Sequence, residues 1–203
     1  MTYTVKVSAD EGAGTVSTAT RIEEVALELF RERGYTAASI RDITAGSGVA
    51  ISTLFHHFRN KIAILERLMY RAIDDLQADL NRAVDGIADP QERLSACVRT
   101  LVVDHCLSTS LSFVAEKEER HLDPDVGVEI RRRRLQVHDM FLDAIVLGVR
   151  ANQFECPDPK TASMAIITMC TAVSAWYKPD GYLSPEELAD QYVVYALNLV
   201  RSH

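Results

Sequence analysis

Residues 39–58 read SIRDITAGSGVAISTLFHHF, and this stretch decides the fold. Ser39 with Asp42 three residues later is a capping pair that begins a short helix, and the Gly46–Gly48 turn ends it. A second short helix follows over residues 51–57. Two short helices joined by a glycine-containing turn are typical of a helix-turn-helix. The angle between them is filled by apolar side chains: Ile40, Ile43, Val49 and Leu54.

The second helix of this pair is predicted to enter the major groove of DNA. Its exposed positions carry mostly short or polar groups that reach base edges and phosphates. Lys61 begins the next helix, where an ammonium group and the helix dipole both favour a phosphate, and Arg59 precedes it. Spacing alone also fits a purely structural trio of helices, with His56 and His57 as solvated residues. The predicted DNA contacts are Ser39, Arg41, Ile51, Ser52, Thr53, Phe55, His56, His57 and Lys61.

Helix signals continue along the whole chain, and strand signals are almost absent. Thr20 and Glu23 have capping-box spacing, and apolar residues then repeat at helical intervals until Gly34. Asn60 begins a long helix that ends near Val84. Further helices are predicted over residues 90–106, 108–121, 124–151, 160–178 and 184–201. The sequence therefore predicts an all-α fold of about nine helices.

Charge is distributed unevenly along the 203 residues. The net charge is −7, yet residues 17–72 carry eight Lys or Arg against six Asp or Glu, a balance of +2. Residues 73–203 carry thirteen against twenty-one, a balance of −8. DNA contact is therefore expected in the N-terminal third. We expect a disordered arm over residues 1–17, a helix-turn-helix domain over 18–65, and a ligand-binding and dimerisation domain over 66–203.

Several function classes find no support in the sequence. No run of about 18 apolar residues and no signal peptide is present, so we expect a cytoplasmic protein with no membrane association. Cys97, Cys106, Cys156 and Cys170 lack metal-ligand spacing and are interpreted as reduced thiols. An enzyme is the main rival class, but the six histidines form no HExxH-like pair and no nucleophile elbow is present. We expect no catalytic residues, no metal and no cofactor.

At this point the sequence resembles the tetracycline-repressor (TetR) family. The resemblance rests on Gly34-Tyr35, residues 39–43, Gly48-Val49, residues 53–58 and Lys61. It implies an N-terminal DNA-binding head and a C-terminal domain for dimerisation and ligand sensing. The function implied is a repressor that binds a palindromic operator as a homodimer and is released by a small-molecule effector.

Four positions depart from the family pattern: Ala50, Ser52, Phe55 and Ile62 stand where Ser, Gly, Tyr and Glu are usual. Ala50 has no side-chain oxygen to cap the second helix, which costs about 1 kcal/mol. Phe55 lacks a hydroxyl to donate to a phosphate. The alternative function is therefore a dimeric small-molecule-binding protein with a degenerated DNA-binding head.

Residues 162–177 contain no charge, and a helix that is apolar nearly all round is buried on more than one side. A second subunit would bury the side of this helix that faces away from its own chain. The resemblance implies a four-helix bundle formed by the last two helices of two protomers. Burial within one chain is the alternative. The predicted dimer interface comprises Ile166, Met169, Cys170, Val173, Tyr192 and Leu199.

The run Arg131 to Arg134 is divided by the helical wheel between a solvated face and an apolar face. Arg131 and Arg134 either pair with Glu116, Glu118 or Glu119, or hold an anionic ligand. A weaker resemblance, to the family branch that senses acyl-CoA thioesters, rests on residues 118–121, this basic helix and residues 175–181. It implies a CoA-linked effector between the helices predicted over 61–84 and 160–178. The predicted ligand contacts are Arg99, Glu116, Arg131, Arg134, His138 and Trp176.

Overall fold

The computed structural model describes residues 17–108, 111, 114 and 117–201, and within these residues it contains helices and no strand. The all-α prediction is confirmed. Within the helix predicted over 108–121, residues 109, 110, 112, 113, 115 and 116 lie outside the described residues, as does the arm up to residue 16. The elements are α1 (Thr18–Ala37), α2 (Ile40–Ser47), α3 (Ile51–His57), α4 (Lys61–Val84), α5 (Pro90–Leu107), a 3-10 helix (Glu119–His121), α6 (Pro124–Arg150), α7 (Pro159–Thr171), α8 (Val173–Trp176) and α9 (Pro185–Val200).

The chain divides into two compact units between Leu68 and Met69, so that α4 contributes residues to both. The N-terminal unit contains α1 to α3 and the first two turns of α4. Its core is made of fully buried apolar side chains from all four helices: Ile22, Phe30, Ile43, Leu54 and Ile64. Of the four residues predicted to fill the angle between α2 and α3, Ile43 and Leu54 are fully buried, and Ile40 and Val49 are half-buried.

Most helix ends follow the local signals, but α1 begins earlier than predicted. Ser17, not Thr20, is its N-cap: the Ser17 side chain accepts a hydrogen bond from the Thr20 backbone N–H at 3.1 Å. Gly34 adopts φ +77°, outside helical geometry, and breaks the helix where the sequence predicted a stop. The Asn60 side chain accepts from the Ala63 backbone N–H at 2.9 Å and so caps α4 as expected.

The C-terminal unit is built around α5, which packs against α6, α7 and α9. Its core includes fully buried Leu94, Phe141 and Ile166. Near the end of α6 the ring of Phe154 lies so close to Gly148 that a Cβ there would be 2.1 Å from a ring carbon. Only glycine fits at this contact.

The helix predicted over 160–178 is interrupted. It ends at Thr171, and a separate short helix begins at Val173. The final helix begins as predicted, because Ser184 and Glu187 form a reciprocal capping box with Pro185 at the first helical position.

All four cysteines are free thiols, and burial raises the pKa of Cys97, Cys106 and Cys170 to about 12. These thiols are therefore protonated and unreactive at neutral pH. Among the described helices, none combines the length and the apolar character needed to cross a membrane.

Candidate DNA-binding and effector sites

The start of α2 is held by local hydrogen bonds, and a glycine ends it. The Ser39 hydroxyl accepts from the Asp42 backbone N–H at 3.1 Å, and the Asp42 carboxylate accepts from the Ser39 backbone N–H at 3.0 Å. Hydrogen bonds from Ser39 hold the pKa of Asp42 below its ordinary value. Gly48 ends α2 with φ +65°, a conformation that side-chain-bearing residues rarely adopt. The direction in which α3 leaves the turn is thus set by the backbone.

Most predicted DNA contacts lie on the exposed face of α3. Ile51 and Phe55 are each 47% exposed although they are large apolar residues, while Leu54 between them is fully buried. Thr53 is half-buried. Ala50 makes no side-chain capping bond, as the sequence predicted. Other exposed positions of the predicted set are Ser39, Arg41, Ser52, His56 and His57. One face of α3 is therefore accessible to a groove of DNA.

Lys61 is placed differently from the prediction. Its ammonium group donates hydrogen bonds to the backbone carbonyls of Tyr35 and Ala38, both at 2.7 Å. The same group lies 4.2 Å from the centre of the Tyr35 ring, within cation–π range. The structure therefore gives Lys61 a role in joining the C-terminal end of α1 to the start of α4. Sequence reasoning missed this role because the partners lie 26 and 23 residues away.

Two further ion pairs bind α4 to the rest of the N-terminal unit. Arg59, with a 75% exposed side chain, lies 3.7 Å from the Glu66 carboxylate. Arg67 lies 3.5 Å from the carboxylate of Glu23, which is only 4% exposed. Glu23 was predicted as a capping residue, but it occupies a buried position facing α4.

The C-terminal unit contains a cavity of about 240 Å³ bounded by α4, α5, α6 and α7. Six apolar side chains line it: Ala72, Ile73, Leu76, Leu101, Val137 and Ile167. Among the described residues, five polar side chains also line it: Asp104, His105, Arg134, His138 and Thr171. An apolar cavity with a few converging polar groups is the usual form of a small-molecule site.

Of the predicted ligand contacts, Arg134 and His138 line this cavity. Arg99 forms an ion pair with Asp190, and Trp176 is 51% exposed on α8; neither belongs to the lining. Glu116 lies outside the described residues.

The arginine run on α6 is engaged in ion pairs. Arg131 lies 3.3 Å from Glu119, and Arg134 donates to the other oxygen of the same carboxylate. Arg132 and Arg133 both donate to Glu129, at 2.7 and 2.9 Å, and these bonds lower the pKa of Glu129 to about 2. Carboxylate pairing of Arg131 and Arg134 is therefore present, through Glu119.

Arg133 also reaches α4. Its guanidinium donates to the Asp74 carboxylate and lies 4.7 Å from the centre of the Tyr70 ring. This contact joins α6 to α4, two of the helices that bound the cavity.

The predicted interface residues separate into two groups. Ile166, Cys170 and Val173 are fully buried in the core of the single chain, so they have no surface left for a second subunit to cover. For these three residues the prediction is corrected. Met169 and Tyr192 are partly buried against the core, whereas Leu199 is 44% exposed.

Further exposed apolar residues of α7 and α9 were not predicted. They are Met164, Val194 and Tyr195, which are 54%, 54% and 53% exposed. Sequence reasoning missed them because the apolar pattern alone does not say which side of each helix meets α5.

Comparison with known proteins assigns both parts of the chain. Residues 22–68 match the family model described as "Bacterial regulatory proteins, tetR family", and residues 88–200 match "Tetracyclin repressor-like, C-terminal domain". The HTH-type transcriptional repressor KstR2 of Mycobacterium tuberculosis is 28% identical over 177 residues, which cover 86% of this chain and 88% of KstR2.

Solved structures give the same result. The structure of the ketosteroid transcriptional regulator KstR2 of Mycobacterium tuberculosis matches with a TM-score of 0.84 at 25% identity, covering 94% of this chain and 98% of that chain. AibR in complex with isovaleryl coenzyme A and operator DNA matches with a TM-score of 0.78 at 27% identity, covering 88% and 97%. With both of its parts matched in sequence and in fold, the chain belongs to the TetR family of bacterial transcriptional regulators.

Proposed function

We propose that this protein is a repressor that binds a palindromic operator as a homodimer and is released from it by an acyl-CoA thioester. The observation that carries the proposal is the combination of an exposed α3 face in the N-terminal unit with a largely apolar cavity in the C-terminal unit. DNA reading and ligand sensing thus have separate sites on one chain.

The DNA-binding part rests on α3 and its surroundings. Ser52, His56 and His57 offer hydrogen-bonding groups to base edges and phosphates, and Ile51 offers an apolar contact to a thymine methyl group. Arg41 on α2 is exposed and supplies a charge for the phosphate backbone. The absent cap at Ala50 and the absent hydroxyl at Phe55 weaken the site without removing the face.

The homodimer rests on the exposed apolar side chains of α7 and α9. Met164, Val194, Tyr195 and Leu199 expose apolar surface on helices that carry few charges, and such surface marks an interaction site. A twofold dimer of these helices places two α3 helices on the two half-sites of a palindrome.

The dimer is tested by placing a charge on this face. Val194→Lys is expected to convert the dimer to monomers in sedimentation velocity, because an ammonium group would be buried between the subunits. Val128→Lys is the matched control, since Val128 is 59% exposed on a different helix, α6. Dimers in both variants would show that the interface lies elsewhere.

The effector class is supported by the cavity and by the similarity to AibR, which has been solved with isovaleryl coenzyme A and operator DNA. The test adds a panel of acyl-CoA thioesters to a preformed complex with operator DNA and follows fluorescence anisotropy. We expect at least one thioester to lower the apparent affinity for the operator. A complex indifferent to the whole panel would remove the thioester from the proposal.

A cavity-filling variant shows whether release acts through this site. Ala72 on α4 lines the cavity, so Ala72→Phe is expected to abolish release while operator binding persists. Ala78→Phe, at an exposed position of the same helix, is the control and should respond like the unmodified protein. If Ala72→Phe is still released normally, the effector binds at another place.

The alternative, a ligand-binding dimer with a degenerated head, is favoured by Ala50 and Phe55. It predicts DNA binding that is weak and independent of sequence. Specific operator binding by the purified protein separates the two functions.

A further inference from the structure

The hydrogen-bonding character of the cavity is fixed by the partners that its polar residues already have. The Nδ1 atom of His105 lies 3.0 Å from the Leu101 carbonyl oxygen. A carbonyl oxygen only accepts, so Nδ1 carries the hydrogen and donates it to Leu101. In the neutral ring the Nε2 atom of His105 therefore has a lone pair and acts as an acceptor.

The same reasoning shows which ring nitrogen of His138 carries the hydrogen. The Ser163 hydroxyl donates its single hydrogen to the Lys160 carbonyl at 2.8 Å. The contact of 3.0 Å between Ser163 Oγ and His138 Nε2 must therefore use a hydrogen on His138. In the neutral ring the Nδ1 atom of His138 is left as an acceptor, but it lies 3.9 Å from the exposed Asp139 carboxylate and is not counted among the acceptors of the inner cavity.

Thr171 and Asp104 add further acceptors. The Thr171 hydroxyl donates to the Thr168 carbonyl at 3.2 Å, which leaves its oxygen lone pairs. The Asp104 carboxylate lies 3.4 Å from His105 Nδ1 and has no hydrogen to donate when ionised. Arg134 retains donors, but its side chain is 41% exposed and paired with Glu119, which places it at the rim of the cavity.

The inner cavity thus offers acceptors to a ligand and its rim offers donors. A buried group that can only accept, such as a ketone, would leave itself and the protein acceptors without hydrogens, and an unsatisfied buried polar group is costly. A carboxylate would in addition face the charge of Asp104. A neutral hydroxyl satisfies these acceptors.

Size limits the ligand further. The cavity of about 240 Å³ is smaller than the cavities of about 300 to 1,000 Å³ that enclose drug-sized ligands. A short aliphatic group matches this size and the apolar part of the lining.

We infer that the effector places a short aliphatic group bearing a hydroxyl in this cavity, with the hydroxyl donating to the acceptors formed by Asp104 and His105. The inference rests on the proposed function, because it takes this cavity as the effector site.

The test compares ligands that differ only in the donor. Butyryl-CoA, 3-hydroxybutyryl-CoA and acetoacetyl-CoA are titrated into the protein by calorimetry at pH 8, where imidazole is ordinarily neutral. In parallel, 3-methylbutan-2-ol and 3-methylbutan-2-one are titrated and followed by chemical-shift changes. We expect the hydroxyl compound to bind about tenfold more tightly than its ketone in both series, as the loss of one good hydrogen bond implies.

A variant locates the recognition. Asp104→Asn keeps the shape of the side chain and adds an N–H donor, so the preference for hydroxyl over ketone should fall towards one. Asp143→Asn, at an exposed position of α6 outside the cavity lining, should leave the preference unchanged.

The outcomes separate this inference from the proposed function. Three results would each overturn the inference. In the first, the hydroxyl compound and its ketone bind equally; in the second, neither the small alcohol nor the small ketone binds; in the third, Asp104→Asn keeps the preference for the hydroxyl compound unchanged. If the thioesters bind without discrimination and still release operator DNA, the proposed function stands and the inference falls. If the alcohol is preferred but no thioester binds, the donor preference stands and the thioester class falls.

Discussion

Replacing Lys61 by methionine separates a structural role for this lysine from a DNA-binding role. Methionine keeps most of the aliphatic stem, but it removes the ammonium group that donates to the carbonyls of Tyr35 and Ala38 at 2.7 Å. Hydrogen bonds from charged donors contribute about 1.5 to 3 kcal/mol each, and partial exposure of this site reduces the pair to about 2 to 4 kcal/mol. We expect the free energy of unfolding of the N-terminal unit to fall by that amount.

The assay is urea denaturation followed by circular dichroism, with hydrogen exchange of backbone amides in α1 to α3 to localise the loss. Arg41→Met is the matched control, because it removes the same charge from an exposed side chain of the same unit. The control should change stability by less than about 0.5 kcal/mol. It should also reduce the slope of operator affinity against salt by about one counterion, if Arg41 neutralises one phosphate.

The opposite pattern would refute this account of Lys61. If Lys61→Met is as stable as the unmodified protein and reduces the salt slope by about one, the ammonium group contacts phosphate and the two carbonyl bonds contribute little. A double variant, Arg59→Ala with Lys61→Ala, gives a second check. With Lys61 held by the two carbonyls, only Arg59 is counted as a phosphate contact and the salt slope should fall by about one, whereas phosphate contacts from both residues would lower it by about two.

Three further predictions concern stability. Ala50→Ser supplies the missing cap of α3, because Ala50 already has the extended geometry of an N-cap residue. This variant should raise the free energy of unfolding by about 1 kcal/mol in urea titrations. Gly148→Ala should lower the melting temperature, because its Cβ would overlap the ring of Phe154 and overpacking costs about 1 to 3 kcal/mol. Adding Phe154→Leu to this variant should restore part of the lost stability. An unchanged melting temperature in Gly148→Ala would contradict the close contact. The folded-state pKa of Glu129 is lowered from 4.5 to about 2, so its contribution is present above pH 4.5 and is lost as the pH falls towards 2. Glu129→Gln should flatten the stability profile in that window, and a profile that is unchanged would show that the pairs with Arg132 and Arg133 do not form in solution.

Features set by near neighbours in sequence could be predicted. The Ser39–Asp42 and Ser184–Glu187 capping boxes, the cap at Asn60 and the break at Gly34 all depend on residues at most four positions apart. Their geometry follows from helix periodicity and backbone chemistry alone, which is why the helices of the N-terminal unit and the exposed face of α3 were expected correctly.

Features set by distant partners could not be predicted in the same way. The carbonyl partners of Lys61 come from the C-terminal end of α1, and the surroundings of buried Glu23 include Arg67 on α4. Ile166 and Cys170 lie in an uncharged stretch of α7, so the sequence does not show that these residues are buried within the chain. Arg99 was predicted in the ligand site, and only the fold shows that its partner is Asp190.

The central claim is that the head reads a specific DNA sequence. It is tested most directly by selecting genomic fragments with the purified protein and then competing each bound fragment with excess non-specific DNA at physiological salt. The account predicts one or a few palindromic sites that survive the competition, because two α3 helices related by a twofold axis read the two half-sites. Fragments that share no common sequence and are lost on competition would contradict it.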